Sequence, residues 1–286
     1  MNISDKGVRF LSRKGNLVIM VESHETIDRA QLEKAYQTPK QLDVRRSIGE
    51  YKSPKFNLND EVLRALSLES DESLLEVGCG KGELVNTLTE NSTVYAIGSD
   101  LSLGMIREAS KKSSNFIVSD SQKLPFKEQS FDAVAAINMI YHVPDKNSAL
   151  AEFGRVLKNN GRLVITGHSI NDRNLSRKLR ETVAQQFGLT NYPHPPTKFN
   201  TENGGELLKK YFPKVHLKLY LALIEVPEIY PHLAFFDSMR YFWDKQFSED
   251  EWKDILAFAK NYLKSEIKMS GYLREETISG VFTCQK

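Results

Sequence analysis

The stretch on which the fold turns is Leu74-Leu75-Glu76-Val77-Gly78-Cys79-Gly80-Lys81-Gly82-Glu83. A short apolar run meets three glycines at alternate positions and then a helix-forming stretch, Gly82 to Glu90. Closely spaced glycines allow unusual backbone dihedrals and let a ligand come up against the main chain, while helix-end amides face an anion. The dinucleotide fingerprint needs G-x-G-x-x-G, whereas the spacing here is G-x-G-x-G with acidic Glu76 just ahead of it. That carboxylate disfavours a pyrophosphate. It suits a ligand carrying both an ammonium and a carboxylate, as the amino-acid end of methionine does.

Outward from this turn the chain alternates. Apolar runs at Ser73 to Val77, Val94 to Ile97, Asn115 to Val118, Phe131 to Ile137 and Arg162 to Thr166 read as buried strands. Between them lie helix-like segments at Gly82 to Glu90, Leu103 to Lys112 and Asn147 to Lys158, the last with one apolar face of Ala149, Leu150, Phe153, Val156 and Leu157. Right-handed crossovers then predict an open, doubly wound α/β sheet over residues 57 to 167, with ligands at the carboxyl ends of its strands. Ser102 is expected to cap the helix at Leu103, and Asn160-Gly161 to stop the one ending near Lys158.

Two more carboxylates stand at strand ends, and they weaken the reading in which the glycines only shape a turn. Asp100 closes the second strand, where an acceptor-only side chain can take two hydrogen bonds from a ribose diol. With Ser102 available as the cap, Asp100 is expected to be free for the ligand, and Leu101 and Met105 to contact a flat base. Asp120, followed by Ser121, closes the third strand and suits an exocyclic adenine amine. Amino acid, ribose and base are thus addressed in order.

The flanking regions are read more coarsely. Residues 1–50 form an N-terminal arm or cap, with a hairpin of Val8 to Leu11 and Leu17 to Val21 and a polar helix near Asp28 to Tyr36. A basic helical stretch from Ser169 leads into Tyr192-Pro193-His194-Pro195-Pro196, an inserted loop. Lys214 to Val226 and Ile278 to Cys284 read as strands that pair antiparallel at a sheet edge, and Tyr230 to Trp243 and Glu249 to Lys268 as helices. Residues 51–286 then make one domain, with insertions at about 170–200 and 228–270 forming a cap.

Bulk properties narrow the partners. Thirty-nine basic and 37 acidic side chains leave a formal charge of +2, so no strong field draws the chain to nucleic acid or anionic lipid. The partner expected is a small molecule, with nucleic acid unlikely, no membrane, and a monomer or homodimer. Cys79 and Cys284 form no disulfide framework and no cysteine–histidine cluster, so no metal is expected. A reducing, cytoplasmic setting fits, and the first residues are too charged for a signal peptide.

These motifs together resemble class I S-adenosylmethionine-dependent methyltransferases, in particular the ubiquinone/menaquinone-type small-molecule methyltransferases. The resemblance rests on LLEVGCGKGE at 74–83, on Ser99-Asp100-Leu101-Ser102 with Met105, and on Asp120 with Leu124-Pro125-Phe126 and Ser130-Phe131-Asp132. It continues through Tyr141-His142-Val143-Pro144-Asp145, Glu152 with Arg155-Val156-Leu157, and Gly161-Arg162-Leu163, covering residues 50 to 170. It implies a Rossmann-like seven-stranded sheet with an antiparallel last strand. Glu76, Gly78, Cys79, Gly80 and Gly82 would lie near the methionine moiety of S-adenosyl-L-methionine, Asp100 on the ribose and Asp120 near adenine. Asn159-Asn160-Gly161 replaces the family's frequent proline and two glycines.

Methyl transfer chiefly needs alignment of the acceptor and exclusion of water. Tyr141 and His142 are the candidate catalytic residues, Asn138 closes the fourth strand beside the cofactor, and Tyr51, His168 and Tyr192 are candidate substrate contacts. The aromatic run Tyr230, Phe235, Phe236, Tyr241, Phe242 and Trp243 reads first as core, and Arg173, Arg177, Lys178 and Arg180 as a solvated helix face that could otherwise receive an acidic acceptor. Methylation of RNA or protein, and a non-catalytic binding protein, are the competing readings.

Overall fold

The computed structural model describes residues 39–189, 199–243 and 245–286 together with Lys34 and Tyr36, and the backbone alone of 8–13 and 16–21. Its centre is the strand β4 (Ser73–Val77), hydrogen-bonded in parallel to β5 (Tyr95–Asp100) on one side and β7 (Phe131–Ala136) on the other. Both faces of such a strand are covered, which is why it reads as an apolar run and not as an alternating one. Leu75 and Val77 point into one layer, with Phe153 and Leu150 of the helix α5 (Lys146–Val156). Leu74 points into the other, with Val62 and Leu66 of α2 (Leu58–Leu66) and Leu84, Val85 and Leu88 of α3 (Glu83–Asn91).

With β3 (Lys52–Ser53), β6 (Phe116–Val118), β8 (Leu157–His168), β9 (Lys214–Val226) and β10 (Leu273–Gln285), the sheet runs β3-β9-β10-β8-β7-β4-β5-β6. The chain winds outward from β4 through β5 to β6, then returns to β7 on the other side of β4. That reversal opens a crevice at the carboxyl ends of β4 and β7. β10 lies antiparallel between β8 and β9, as the expected reversed hairpin requires. The two-residue strand β3 adds an eighth member by pairing Lys52 with Ile224. The amino-terminal strands β1 (Val8–Arg13) and β2 (Asn16–Val21) form a separate antiparallel hairpin.

Local sequence explains the helix limits. Asp145 caps α5 by accepting from the amides of Asn147 and Ser148, and Ser102 caps α4 (Leu103–Ala109) by accepting from Met105. The long helix α9 (Glu249–Ser270) begins with a reciprocal capping box between Ser248 and Glu251 and stops at Gly271, whose φ of 83° no ordinary residue adopts cheaply. Asn160-Gly161 does not stop a helix. The helix ends at Val156, and the pair sits inside β8, where the register to β7 jumps between Phe131 and Ala133. A residue at positive φ serves such a bulge as well as it serves a helix end, and Asn160 has φ 64°.

α6 (Asn174–Gln186), α8 (Tyr230–Asp237) and α9 share a third apolar cluster built on Leu179, Val183, Phe236, Trp243, Trp252 and Leu263, packed against Ile224 and Val226 of β9. The aromatic run is therefore divided. Phe236 and Trp243 are core, whereas Tyr230 and Tyr241 are exposed. The basic stretch at the start of α6 is not a uniformly solvated face either: Arg180 is 3% exposed, and Arg173 pairs with the fully buried Glu275 at 3.2 Å. The partner lies on β10, beyond the reach of a local reading.

One polar clamp fixes the loop that carries Asp120. Glu152 accepts from the amide of Leu124 at 2.7 Å and holds Arg155 by two bonds, and Arg155 donates to the carbonyls of Phe126 and Leu124. Charge-assisted bonds of this kind are worth more than neutral ones, and removing Glu152 strands both the amide and the guanidinium. Glu152→Ala is expected to lower stability by about 2 kcal/mol, measured as a lower urea midpoint at unchanged slope.

Candidate functional site

The crevice is a cavity of about 1090 Å³, floored by the ends of β4, β5, β7 and β8 and walled by α1 (Lys40–Ser47) and the helical cap. Gly78 begins the turn at φ 72°, and a methyl group there would lie 2.5 Å from Met139 Cβ, so only glycine fits. The amides of Gly78 and Cys79 both donate to the Ser99 carbonyl, which ties the turn to the end of β5. Gly82 serves differently from the expectation: it does not line the cavity. A side chain there would strike the Phe116 ring at 2.4 Å, so its role is the close packing of α3 on the sheet.

Two carboxylates dominate the glycine end. Glu76 is 4% exposed, and its Oε2 has no hydrogen-bond partner. Burial, with the nearby charges of Asp100 and Glu83 adding to it against Arg46, pushes its carboxyl up to about 8. Asp100 is raised too, by burial, against the hydrogen bonds it accepts from the amides of Ser102 (2.8 Å) and Gly80 (2.9 Å). It is thus not free in the expected sense. Each of its oxygens nevertheless keeps a second lone pair.

Leu101, Asp120 and Ser121 line the next part of the cavity, and Asp120 accepts from the Gln122 amide at 2.9 Å. Met105 does not join Leu101 there: it is fully buried, on the core-facing side of α4. On the far side stand Asn138, Tyr141, His142 and His168. Asn138 sits at φ 52°, held by Thr166, whose hydroxyl accepts from its amide (2.8 Å) and donates to its Oδ1 (3.1 Å). Burial raises the Tyr141 phenol well above its ordinary value and lowers His168, whose Nδ1 lies 3.5 Å from both Asp172 Oδ2 and Ser279 Oγ. Tyr51 is 39% exposed and outside the cavity wall, so it drops out as a direct contact. Tyr192 lies outside the described residues.

The N-terminal approach brings residues that no motif flagged. Tyr36 places its hydroxyl 3.0 Å from His142 Nε2 and accepts the Ser102 hydroxyl on its carbonyl. The Arg45 guanidinium lies over the rings of Tyr36 (5.0 Å) and Phe242 (5.2 Å). Arg46 and Lys81 bind Glu83 and Asp43, which pins α1 over the glycine turn. The one available signal was the basic doublet Arg45-Arg46, which resembles any helix surface.

The site can therefore take an ammonium at Glu76, hydroxyl or amine donors at Asp100 and Asp120, and a second molecule toward His168. Among the described residues, no group of three His, Cys, Asp or Glu side chains could hold a metal ion.

Residues 75–165 match the methyltransferase domain family. The demethylmenaquinone methyltransferase of Corynebacterium urealyticum is 34% identical over 106 residues, 37% of this chain and 46% of that protein. The tRNA (carboxymethyluridine(34)-5-O)-methyltransferase of Arabidopsis thaliana is 26% identical over 165 residues, 57% of this chain and 37% of that protein. The chain thus spans less than half the length of these curated relatives. The phosphoethanolamine N-methyltransferase 2 of Haemonchus contortus, solved with S-adenosyl-L-methionine, aligns with a TM-score of 0.56 at 19% identity, over 93% of this chain and 61% of that one. At that identity the likeness speaks for the fold.

The raised carboxyl of Glu76 has a consequence for stability. Between its unfolded value near 4.5 and its folded value of about 8 the folded state binds the extra proton, so this contribution is present below pH 4.5 and is lost as pH rises through 8. Glu76→Gln is expected to gain stability relative to wild type as pH rises from 5 to 8, measured by denaturant midpoints of the ligand-free proteins.

Proposed function

We propose that this chain, which carries a class I S-adenosylmethionine-dependent methyltransferase domain in residues 75–165, transfers the sulfonium methyl group to a small-molecule acceptor. The observation that carries the reading is the buried, unpartnered Oε2 of Glu76 at the mouth of the glycine turn. A buried carboxylate needs a cation, and the α-ammonium of the cofactor is one that this turn admits. Asp100 is assigned to the ribose hydroxyls and Asp120 to the adenine amine, with Leu101 beside the base. Gly78, Cys79 and Gly80 supply the close backbone approach.

S-adenosylmethionine supplies a methyl group already activated by its positively charged sulfur. What remains for the protein is to hold the acceptor in line and to keep water out. Met139, Tyr141 and Phe242 supply apolar wall on the acceptor side. Tyr141, kept protonated by burial, acts as a hydrogen-bond donor at neutral pH, and His142, with Tyr36 on its Nε2, orients the wall. His168 is the assigned base where the acceptor must lose a proton. Burial keeps its imidazole neutral, and Asp172 beside Nδ1 holds the proton there, leaving Nε2 to accept one. A charge near neutrality and a helical cap over the cavity support a small acceptor over a nucleic acid.

Calorimetric titration with S-adenosylhomocysteine tests the core of this reading. Saturable binding by wild type that is weakened in Asp100→Ala, with no binding of NADH, is the expected result; tighter binding of NADH would overturn it. For an acceptor found by screening with labelled S-adenosylmethionine, His168→Ala should lower kcat by roughly 10²-fold. Because burial holds the imidazole below its ordinary value, wild-type kcat/KM should rise with pH below about 6.5 and be flat above it, and the variant should lose that rise.

A further inference from the structure

The connection from β8 to α6 brings His168, Asp172 and Arg173 into the cavity wall and runs back along β10. Ser169 donates its amide to the Ile278 carbonyl at 3.0 Å, and Arg173 donates its own to the Glu276 carbonyl at 2.8 Å. Between them Asp172 Oδ1 accepts the Ile278 amide at 2.6 Å, so a side chain continues the pairing where β8 has ended. Arg173 itself has φ 53°, a conformation that an arginine keeps only where its surroundings fix it. Such fixation beside a cavity points to a constraint on the groups it positions.

Arg173 stands between two carboxylates. Its Nη1 lies 3.2 Å from Glu275 Oε1, and its Nε lies 3.9 Å from Asp172 Oδ2. Glu275 is fully buried on β10 and does not line the cavity. Its other oxygen accepts the Ser176 amide at 2.8 Å, in the first turn of α6, where helix amides favour an anion. His232 Nε2 is 3.9 Å from Glu275 as well, but burial lowers that imidazole, against Glu275 and with Arg173. It is therefore neutral at pH 7, and Arg173 is the cation that Glu275 holds.

Asp172 Oδ2 is shared. On one side is Arg173 Nε, and on the other, at 3.5 Å, is His168 Nδ1. The remaining neighbours of His168 are Ser279 Oγ of β10, 3.5 Å from the same nitrogen, and the Tyr141 ring at 6.2 Å. Lys52 of β3 adds its charge to that of Arg173 against protonation of the ring. A hydroxyl can donate or accept, so Ser279 alone fixes no tautomer, whereas an acceptor-only carboxylate does.

We propose that Glu275 is a positioning residue of the acceptor site: by holding Arg173 on the β10 side it leaves Asp172 to His168, so that Nδ1 keeps the proton and Nε2 is free to accept one. This deepens the role given to His168 and rests on the methyltransferase reading above. Without the charge of Glu275, Asp172 is the one carboxylate left to Arg173 among the described residues. A guanidinium, charged at every accessible pH, outcompetes a neutral imidazole N–H for it. His168 then loses the partner that sets its tautomer.

Long-range proton–nitrogen correlation spectra of the full chain test this, with the His168 signal identified by its loss in His168→Gln. They report which ring nitrogen carries the proton and where the ring titrates. Wild type should show the Nδ1–H form at about pH 8, above the ordinary histidine range. Glu275→Gln keeps the size of the side chain and an oxygen for Ser176 but removes the charge. In it the two tautomers of His168 should mix, and the titration midpoint should fall by about one pH unit. Because a variant at so buried a position can fail to fold, the charge-balanced Arg173→Gln/Glu275→Gln double variant is the second arm. With the competing cation gone, the Nδ1–H form should return, with a midpoint at or above that of wild type. An unchanged tautomer and midpoint in Glu275→Gln, or mixed tautomers in the double variant, overturns the proposal and leaves the methyltransferase reading in place. The affinity for S-adenosylhomocysteine should be unchanged in Glu275→Gln; its loss would make Glu275 a support of the whole fold and overturn the positioning role. Failure of S-adenosylhomocysteine to bind wild type removes the methyltransferase reading itself, and the role of Glu275 with it.

Discussion

A carboxylate buried at the end of the central strand, with one oxygen bonded to nothing in the protein, is the constraint around which this structure is arranged. Glu76 shares the side of β4 that carries Leu74, with the helix α3 starting just beyond the turn. Leaving a carboxylate there is unfavourable, and the protein meets that by keeping it protonated up to about pH 8. Asp100, half-buried, is satisfied by two backbone amides, one of them from the glycine turn itself. The turn, the end of β5 and the two acids therefore form one unit. The tight approach of Met139 to Gly78 and of Phe116 to Gly82 leaves that unit no freedom to shift.

The remainder of the molecule closes the space above that unit. The N-terminal helix is tied across the turn by Arg46 to Glu83 and Lys81 to Asp43, and Tyr36 reaches His142. The cap of α6, α8 and α9 has its own apolar cluster, so it stands on the sheet edge formed by β9 without drawing on the central core. One end of the cavity is then acidic and shaped by glycines, and the other is lined by aromatic rings and by charges that pair with one another. That contrast fits two ligands of different character meeting in the middle, where Asn138, Tyr141 and His168 stand.

The parts of this arrangement that are legible in the sequence are those fixed by local physics. Ser73–Val77 and Lys214–Val226 appear as expected because apolar runs bounded by turn residues have few other uses. The three strand-end acids follow from the same reasoning. Asn160-Gly161 misleads because a positive-φ residue suits a strand bulge as well as a helix stop. Met105 misleads because helix periodicity fixes which residues share a face but not which face meets the ligand. Arg173 finds Glu275 across 102 positions of chain, and Tyr36 finds His142 across 106, so neither contact leaves a local trace.

The central claim is that Glu76 awaits a cation, and proton counting tests it most directly. At pH 6.5 the cofactor's ammonium is charged and Glu76 in the ligand-free protein is protonated, so pairing them must expel the carboxyl proton. Calorimetry of S-adenosylhomocysteine binding in buffers of different ionisation enthalpy should report release of about one proton per site, abolished in Glu76→Gln. Binding by wild type with no proton release, or the same release in the variant, would contradict the account.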